Sequence, residues 1–423
     1  MTPLDGDVLA ALDRAVATAN AAVAATYPGA AQGRQPVSTV YVAADRFDAR
    51  TVDRLGEQAR ALMDAHAPQS TAMASAFGLD RAFALADEVR GRVVRKLSTE
   101  PVEDLRVDFE DGYGVRDDAE EDAHAEAAAG AIAALHADGA LPPFVGLRVK
   151  SLADGLHRRS LRTLERFLGV LLERTDGVLP GGFVLTLPKI LSPGHVAAFA
   201  EVLGALESAS GLAHGRLRFE LQVETTQSIV AADGTIALPR LVMAAAGRCT
   251  AAHFGTYDYT AACGLPASEQ RIDHPSCDAA RHIMQIALAG TGIRLSDGST
   301  NVLPASDGHE DVHAAWRLHA GHVRRSLAHG FYQGWDLAAA QLPSRYTAVY
   351  AFHLGTFDDN AARIRAWRDA PRTQLGVLDE PATVTALLAS LRRALDCGAV
   401  LADEVTERTG STPAELWPES PPT

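Results

Sequence analysis

Cysteine is scarce in this chain of 423 residues, which contains four: Cys249, Cys263, Cys277 and Cys397. None lies in a CxxC pair, so neither a disulfide scaffold nor a zinc site is expected. The first residues, MTPLDGDVLAALDRAV, lack the basic segment and apolar stretch of a signal peptide. No uninterrupted apolar run approaches the roughly 20 residues that span a bilayer. These absences predict a cytoplasmic protein with reduced thiols and no membrane partner.

Basic residues are also in short supply. The 39 lysines and arginines face 53 aspartates and glutamates, which gives a formal net charge of -14. This balance argues against nucleic acid as a partner, because nucleic-acid binding needs a basic face. Hydrophobic residues make up 47% of the chain and charged residues 22%, as in soluble globular proteins, which excludes general disorder.

Glycine-rich phosphate loops are absent as well. No GxGxxG follows the first predicted strand, and neither GxxxxGKS nor GxxxxGKT occurs. The chain instead contains a regular succession of short apolar runs, most of them followed by a helical stretch. Runs that begin at residues 105, 144, 183, 217 and 250 are separated by 39, 39, 34 and 33 residues. A strand–helix–strand unit needs about 30 residues or more, so this rhythm predicts a parallel sheet with helices outside it.

Three further apolar runs bring the total to eight: one at 37–42 and weaker ones near 292–295 and 330–334. Eight parallel strands close naturally into a barrel, so we predict an α/β protein with a (β/α)₈ (TIM) barrel. A doubly wound sheet is the competing interpretation.

The two ends of the chain are predicted to be helical. Apolar residues recur at helical spacing in the alanine-rich segment 1–35. The barrel is assigned to 36–342. The remaining residues, 343–423, are predicted to form a helical extension that acts as a lid or an oligomer contact.

Catalytic groups of such barrels come from the C-terminal ends of the strands, so the polar residues that end each run are the candidates. Asp108, Glu110 and Asp111 follow the second run. They form part of a site or a solvated loop before a helix. Arg148 and Lys150 end the third run. The arginine offers a bidentate fork to a substrate carboxylate, or it pairs with a strand-end acid.

The fourth and fifth runs also end in polar residues. Lys189 is interpreted as a salt-bridge partner rather than a Schiff-base amine. Glu220, Gln222 and Glu224 alternate with apolar residues, so all three point the same way. They line a wet barrel interior, bind a metal, or form the solvated face of a strand.

Asp258 lies 34 residues after Glu224, which places it at the mouth of the neighbouring strand. Two carboxylates on adjacent strand ends suit a hard cation, because Mg²⁺ takes one or two protein carboxylates and fills its other positions with water or substrate. The alternative is two unrelated surface acids. His253, nearby, is interpreted as a packing residue rather than a ligand.

Together these segments resemble the citrate lyase β-subunit-like (HpcH/HpaI aldolase) family of phosphoenolpyruvate/pyruvate barrels, which also includes malyl-CoA lyases and, more distantly, malate synthases. The resemblance covers about residues 37–390 and rests on five motifs: VDFED (107–111), LRVK (147–150), LPK (187–189), VET (223–225) and FGTYD (254–258). Lys150 stands where the family has asparagine, and Ala338 and Ala339 replace its His-Pro. Longer connections at 139–181 and 290–315 indicate a divergent, longer subgroup.

The resemblance implies a role for each matching residue. Glu224 and Asp258 would hold Mg²⁺, with Mn²⁺ as an alternative. Arg148 would bind a carboxylate or carbonyl oxygen of the substrate. Three acids would orient this arginine and hold metal-bound waters: Asp108, Glu110 and Asp111. Further substrate contacts are expected from four residues: Lys150, Lys189, Gly255 and Thr256.

One catalytic residue is implied near the C-terminus. The segment GVLDEP (376–381) resembles the part of the family that carries an aspartate, which often reaches a site on a neighbouring subunit. Asp379 is therefore the candidate general acid/base. Its alternative role is to cap the helix that begins near Pro381.

The family implies a Mg²⁺-dependent carbon–carbon lyase of the aldol or Claisen type. Its substrate would be a 2-oxo acid or a hydroxyacyl-CoA, cleaved through a metal-stabilised enolate. No tightly bound organic cofactor is implied. A homo-oligomer is expected, with a trimer favoured. The alternatives are a malate-synthase-like condensing enzyme, an acyl-CoA thioesterase on the same barrel, and a non-catalytic ligand-binding barrel.

Overall fold

Eight parallel strands form a closed barrel in the computed structural model of the chain, which describes residues 6–31, 33–79, 84–153, 155–369 and 380–418. The strands are β1 (Ser38–Ala43), β2 (Asp104–Asp108), β3 (Phe144–Arg148), β4 (Phe183–Leu187), β5 (Phe219–Val223), β6 (Cys249–Phe254), β7 (Arg294–Ser299) and β8 (Gln333–Asp336). Each strand pairs with the next along the chain, and β1 pairs with β8. The predicted (β/α)₈ fold is confirmed.

The two weakest predicted strands lie slightly later in the chain than expected. β7 and β8 begin at Arg294 and Gln333, after the predicted starts near 292 and 330. Gly292 and Gly330 have φ angles of 75° and 82°, a left-handed conformation that belongs to the preceding turn rather than to a strand. β7 then continues to Ser299 through polar residues, which give no apolar signal.

Helices surround the barrel and occupy both ends of the described chain. They are α1 (Gly6–Thr26), α2 (Thr51–His66), α3 (Ser70–Phe77), α4 (Ala86–Thr99), α5 (Asp118–Ala137), α6 (His157–Arg174), α7 (Pro193–Ala209), α8 (Thr226–Ile229), α9 (Leu238–Ala244), α10 (Thr256–Ala262), α11 (Pro275–Leu288), α12 (His309–Ala328), α13 (Leu342–Asp369), α14 (Pro381–Asp396), α15 (Ala402–Thr409) and α16 (Pro413–Leu416). In α6, Leu164, Phe167, Leu168 and Leu171 recur at helical spacing and are buried, while Arg162 on the opposite face is exposed.

α13 extends the outer layer of the barrel towards the C-terminus. It follows β8 and packs against α4, α12 and α14. Leu342, Tyr346, Val349 and Tyr350, on its N-terminal half, are buried. The outer helical layer therefore continues beyond residue 342, the predicted end of the barrel.

α1 differs from the other long helices because none of its residues is buried. Leu9, Leu12, Val16 and Val23 are 43%, 53%, 47% and 57% exposed. By length and composition alone, α1 could cross a membrane. A helix that packs against another protein chain has the same properties, and the absence of a membrane partner stays a prediction.

Charged side chains, rather than apolar ones, fill part of the barrel interior. Arg106 is fully buried, forms an ion pair with Asp104 and donates to Oε2 of Glu220 over 2.9 Å. Nε2 of His253 lies 2.9 Å from the same Glu220 oxygen. We call these four residues the lower network. Within the lower network, Arg106 pairs with Glu220 inside the barrel, away from the C-terminal ends of the strands.

Candidate active site

Asp108, at the C-terminal end of β2, forms hydrogen bonds both to the loop that follows it and to the neighbouring strand β3. Asp108 accepts hydrogen bonds from the backbone N–H groups of Glu110 and Gly112, each over 2.9 Å. It also accepts from Nε and Nη2 of Arg148, both over 2.7 Å. Asp108 and Arg148 are partners in the β2–β3 register, so strand pairing brings them together. Arg148 thus has the strand-end acid as a partner, one of the two roles predicted for it.

One nitrogen of Arg148 is left outside this bidentate pair. Its Nη1 lies 3.3 Å from Oε2 of Glu110 and 3.4 Å from Oε1 of Gln222. The guanidinium carbon lies 5.0 Å from the ring centre of Tyr41 and 5.9 Å from that of Trp335. Burial disfavours the charge, but the neighbouring carboxylates outweigh it and raise the pKa of Arg148 well above its ordinary value. The site therefore contains a permanent positive charge in a defined position.

Lys189 connects the acidic loop to the end of β5. Its φ angle is 51°, which is uncommon for a residue other than glycine. Its backbone N–H donates to Oε1 of Glu224 over 2.8 Å. Its Nζ lies 2.5 Å from Glu110 and 2.6 Å from Asp111. Lys189 is therefore a salt-bridge residue, and its amine is engaged by protein carboxylates instead of making the substrate contact expected from the sequence.

Glu224 follows β5 and is almost completely buried, with 1% of its surface exposed. Gln222 donates from Nε2 to Oε2 of Glu224 over 2.5 Å. Burial, together with the charge of Asp258, raises the pKa of Glu224 to about 8. Gly255 permits this packing, because a Cβ there would lie 2.4 Å from Cβ of Glu224. A carboxylate in these surroundings is costly unless a cation joins it.

These groups border a cavity of about 380 Å³ at the C-terminal ends of the strands. Seven residues predicted for the site line it: Asp108, Asp111, Arg148, Glu224, Gly255, Thr256 and Asp258. The Thr256 hydroxyl is buried and has no hydrogen-bond partner among the described residues. It is therefore available to a molecule bound in the cavity.

Lys150 does not reach this cavity, which corrects the substrate contact predicted for it. Its Nζ donates to the carbonyl oxygens of Phe109 over 2.6 Å and Gly114 over 3.1 Å, and lies 3.0 Å from Glu121. β3 ends at Arg148, so the inward and outward alternation of the strand no longer applies two residues later. Lys150 supports the acidic loop from behind.

Three other predicted residues also lie away from the lining or beyond what the structure describes. Asp379, the predicted general acid/base, lies outside the described residues. Glu110 and Lys189 are described but do not line the cavity. Their ion pair instead supports Asp111, which does.

Sequence reasoning missed the aromatic wall and the rim of the cavity. Tyr41 on β1 and Trp335 on β8 have ring centres 4.7 Å apart, and Arg46 lies in the turn after β1. The strand-end rule, extended to the first apolar run, would have found Arg46. The remaining lining residues are Ala43, Gly112, Gln222, Tyr257, Ser299 and Leu337.

Negative charge exceeds positive charge around the acidic loop and β5. Five carboxyl groups meet here: Asp108, Glu110, Asp111, Glu224 and Asp258. The cations in contact with them are Arg148 and Lys189. Burial raises the pKa of Glu110 to about 7, as it raises that of Glu224. The excess of carboxyl groups over cations makes these residues candidates for holding a cation.

The donor set favours a hard divalent cation. No group of three or more His, Cys, Asp or Glu side chains in the described ranges is arranged to hold a metal ion. Glu224 and Asp258 instead form a pair of oxygen donors, and Mg²⁺ usually takes one or two carboxylates from a protein. The residues present therefore fit Mg²⁺.

Solved structures share this architecture. A citrate lyase from Burkholderia xenovorans aligns with a TM-score of 0.56 at 18% identity, over 90% of this chain and 97% of its own. A malate synthase from Haloferax volcanii aligns with a TM-score of 0.48 at 14% identity, over 92% and 91%. The CitE protein of Mycobacterium tuberculosis, in complex with magnesium, acetoacetate and coenzyme A, aligns with a TM-score of 0.47 at 17% identity, over 85% and 97%.

The fold is that of the citrate lyase β-subunit-like barrels, as the motifs predicted. The chain belongs to the DUF6986 family, a domain of unknown function, whose model matches residues 16–421. No curated protein sequence matches the chain.

Proposed function

We propose that this protein is a Mg²⁺-dependent carbon–carbon lyase that cleaves a 2-oxo acid or hydroxyacyl substrate through an enolate. The observation that carries the proposal is the carboxyl pair of the buried Glu224 and the half-buried Asp258, beside the positioned guanidinium of Arg148. An acidic pair of this kind destabilises the protein unless a cation offsets it. The resemblance of the surrounding motifs to the citrate lyase β-like family supports the reaction type.

Glu224 and Asp258 are the residues that would hold the cation. When bound, Mg²⁺ acts as a Lewis acid that stabilises negative charge on a substrate oxygen. The backbone N–H of Lys189 and the amide of Gln222 fix the two oxygens of Glu224. Each oxygen of Glu224 accepts one of these hydrogen bonds, so lone pairs on both oxygens remain available to a cation.

Arg148 would stabilise the charge that develops during cleavage. When the carbon–carbon bond breaks, its electron pair passes to the enolate, whose negative charge rests mainly on oxygen. Asp108 holds Nε and Nη2 of the guanidinium, so the positive charge is already in place before reaction. The unpartnered Thr256 hydroxyl offers a further donor to substrate oxygen.

Two proton transfers complete the reaction. The substrate hydroxyl loses its proton as the carbon–carbon bond breaks, and the enolate carbon gains one afterwards. We assign both transfers to Asp379, whose role rests on the resemblance of GVLDEP (376–381) to the family. The aspartate would act first as base and then as acid.

Calorimetry of Mg²⁺ binding tests this proposal. We expect Mg²⁺ to bind the metal-free protein, and pyruvate, oxaloacetate, glyoxylate or acetyl-CoA to strengthen that binding when it belongs to the substrate class. Glu224→Gln should abolish Mg²⁺ binding while the protein stays folded. Glu165→Gln, an exposed substitution of the same type on α6, is the matched control and should leave binding unchanged. Unchanged Mg²⁺ affinity in Glu224→Gln would refute the assignment.

Assembly and location stay predictions. We propose a cytoplasmic homo-oligomer, with a trimer favoured. The exposed apolar side chains of α1 favour a partner chain over a free monomer. Sedimentation velocity of the full chain would show the number of copies, and a single monomeric species at micromolar concentration would contradict the assembly.

A further inference from the structure

A second and larger cavity lies at the opposite end of the barrel from the candidate active site. Its volume is about 530 Å³. It is bordered by the starts of β7 and β8, by the C-terminal end of α11 and by α14. The N-terminal face of a (β/α)₈ barrel ordinarily contributes to stability rather than to catalysis. An open cavity at this face is therefore a candidate binding site separate from the catalytic face. We call it the basal cavity.

The walls of the basal cavity combine apolar and cationic side chains. Leu288, Ile293, Leu388 and Trp417 supply apolar surface. Three arginines also line it: Arg294, Arg392 and Arg393. Asp396 is the single carboxylate in the lining. The cavity therefore has a net positive charge beside an apolar surface.

Two neighbouring arginines of α14, Arg392 and Arg393, differ in the groups that contact their guanidinium charges. Nε of Arg392 donates to Asp396 over 2.8 Å, so this charge is already paired. The Arg393 guanidinium lies 3.9 Å from the ring centre of Tyr332 and has no carboxylate within ion-pair distance among the described residues. Stacking on an aromatic ring stabilises a cation only in part. Burial lowers the pKa of Arg393, which means that its positive charge lacks full compensation.

We propose that the basal cavity binds a small organic anion, with a carboxylate or phosphate head on Arg393 and an apolar body against Leu388 and Trp417. A guanidinium binds either head group through two parallel N–H donors. Tyr332 holds the Arg393 fork by stacking, which leaves its edge for the anion. This site is separate from the proposed lyase reaction, and its occupation does not depend on Mg²⁺.

Calorimetric titration of the full chain with three probes tests the proposal. Hexanoate carries a carboxylate head, phenyl phosphate carries a phosphate head, and hexanamide has the same apolar body without charge. We expect at least one of the two anions to bind and hexanamide to bind at least about tenfold more weakly, because charge-assisted hydrogen bonds are lost. Whichever anion binds more tightly identifies the head group.

Substitutions on α14 then locate the site. Arg393→Gln should weaken binding of that anion by about tenfold or more. Arg392→Gln is the matched control at the adjacent position, and it should change the affinity by less than about threefold because Asp396 already pairs that charge. Ala389→Trp should abolish binding by filling the cavity while it retains every arginine.

Three results would overturn the proposal. The first is that neither anion binds the wild-type chain. The second is equal affinity for hexanamide. The third is unchanged anion affinity in both Arg393→Gln and Ala389→Trp, with circular dichroism confirming that each variant is folded.

Discussion

Glu220 lies on β5 and Glu224 directly follows that strand, and both side chains are buried. Their pKa values are nevertheless shifted in opposite directions from the ordinary value of a glutamate. For Glu220, burial works against the charge, but His253 and Arg106 outweigh it and lower the pKa to about 2. For Glu224, burial and Asp258 act together and raise the pKa to about 8. Burial is common to both, so the neighbouring charges determine the difference.

This difference separates the lower network from the candidate active site. In the lower network every carboxylate has a cation or imidazole within contact distance, and burial raises the pKa of Asp104 only to about 6. At the candidate active site, two of the carboxyls have pKa values raised to about 7 and about 8. Perturbed acids in a cavity are typical of functional sites, whereas a neutralised network inside a barrel stabilises the fold. The comparison therefore predicts opposite outcomes for similar substitutions in the two regions.

The largest effect is expected from Arg106→Gln. This substitution leaves Asp104 and Glu220 buried without their shared cation, which should lower the free energy of unfolding by about 3–5 kcal/mol. Urea unfolding followed by circular dichroism measures the loss. The control is Arg240→Gln, which breaks an exposed ion pair with Asp233 and should hardly move the unfolding midpoint.

A small loss in Arg106→Gln would show that the lower network is not what holds the barrel interior together. The contrast with the candidate active site would then have no energetic basis.

The second prediction compares the same substitution, glutamate to glutamine, in the two regions. Glu220→Gln should lower the free energy of unfolding by about 2 kcal/mol, because Arg106 and His253 lose the charge that they contact. Glu224→Gln should leave the stability of the metal-free protein unchanged or raise it at pH 8, because it removes a buried charge beside Asp258. Parallel urea titrations without Mg²⁺ decide the matter. Equal losses in both variants would contradict the distinction.

The fold was predictable because β2 to β6 are short apolar runs with nearly regular spacing. The strand-end carboxylates Asp108, Glu224 and Asp258 were predictable for a related reason, since the C-terminal ends of barrel strands converge on one face. Both inferences need only local sequence and the geometry of parallel strands. β7 was harder to place, because most of its residues are polar.

The lower network was not predictable from local sequence. Arg106 and Glu220 are 114 residues apart, and only closure of the barrel brings them together. The substrate contact of Lys150 was expected from the family resemblance, but β3 ends at Arg148, so the strand no longer directs Lys150 towards the cavity. Tyr41 and Trp335 were missed because aromatic residues in strands also suit a core.

The third prediction concerns pH. Mg²⁺ needs the ionised form of Glu224, whose pKa in the metal-free protein is about 8. Mg²⁺ therefore competes with a proton below this pH, and its affinity should rise by about tenfold from pH 6 to pH 7 and level off above pH 8. Calorimetry at each pH measures this rise. A flat profile between pH 6 and 8 would contradict the raised pKa.

Stability of the metal-free protein should change with pH in the opposite sense. The ordinary pKa of Glu224 is 4.5, below the folded value, so the unfolded chain loses this proton first. The stabilising contribution of the group is present below pH 4.5 and is lost as the pH rises towards 8. Glu224→Gln should remove this component of the slope, and Glu165→Gln should retain it.

The smallest effect is expected from Trp335→Phe, because Trp335 contacts both regions. Its Nε1 donates to Nδ1 of His253 over 2.8 Å, and its ring lies beside Arg148. Loss of the hydrogen bond should cost about 1 kcal/mol of unfolding free energy. Mg²⁺ affinity should change by less than about threefold, since the phenyl ring retains much of the cation–π contact.

Tyr41→Phe is the matched control for that substitution, because it keeps the other aromatic ring beside Arg148 and removes a buried hydroxyl that lacks a hydrogen-bond partner among the described residues. Its unfolding free energy should stay unchanged or rise, since no hydrogen bond is lost. If Trp335→Phe instead weakens Mg²⁺ binding by about tenfold or more, the contact with His253 couples the two regions. The lower network would then be part of the catalytic machinery, and the separation drawn from Glu220 and Glu224 would fail.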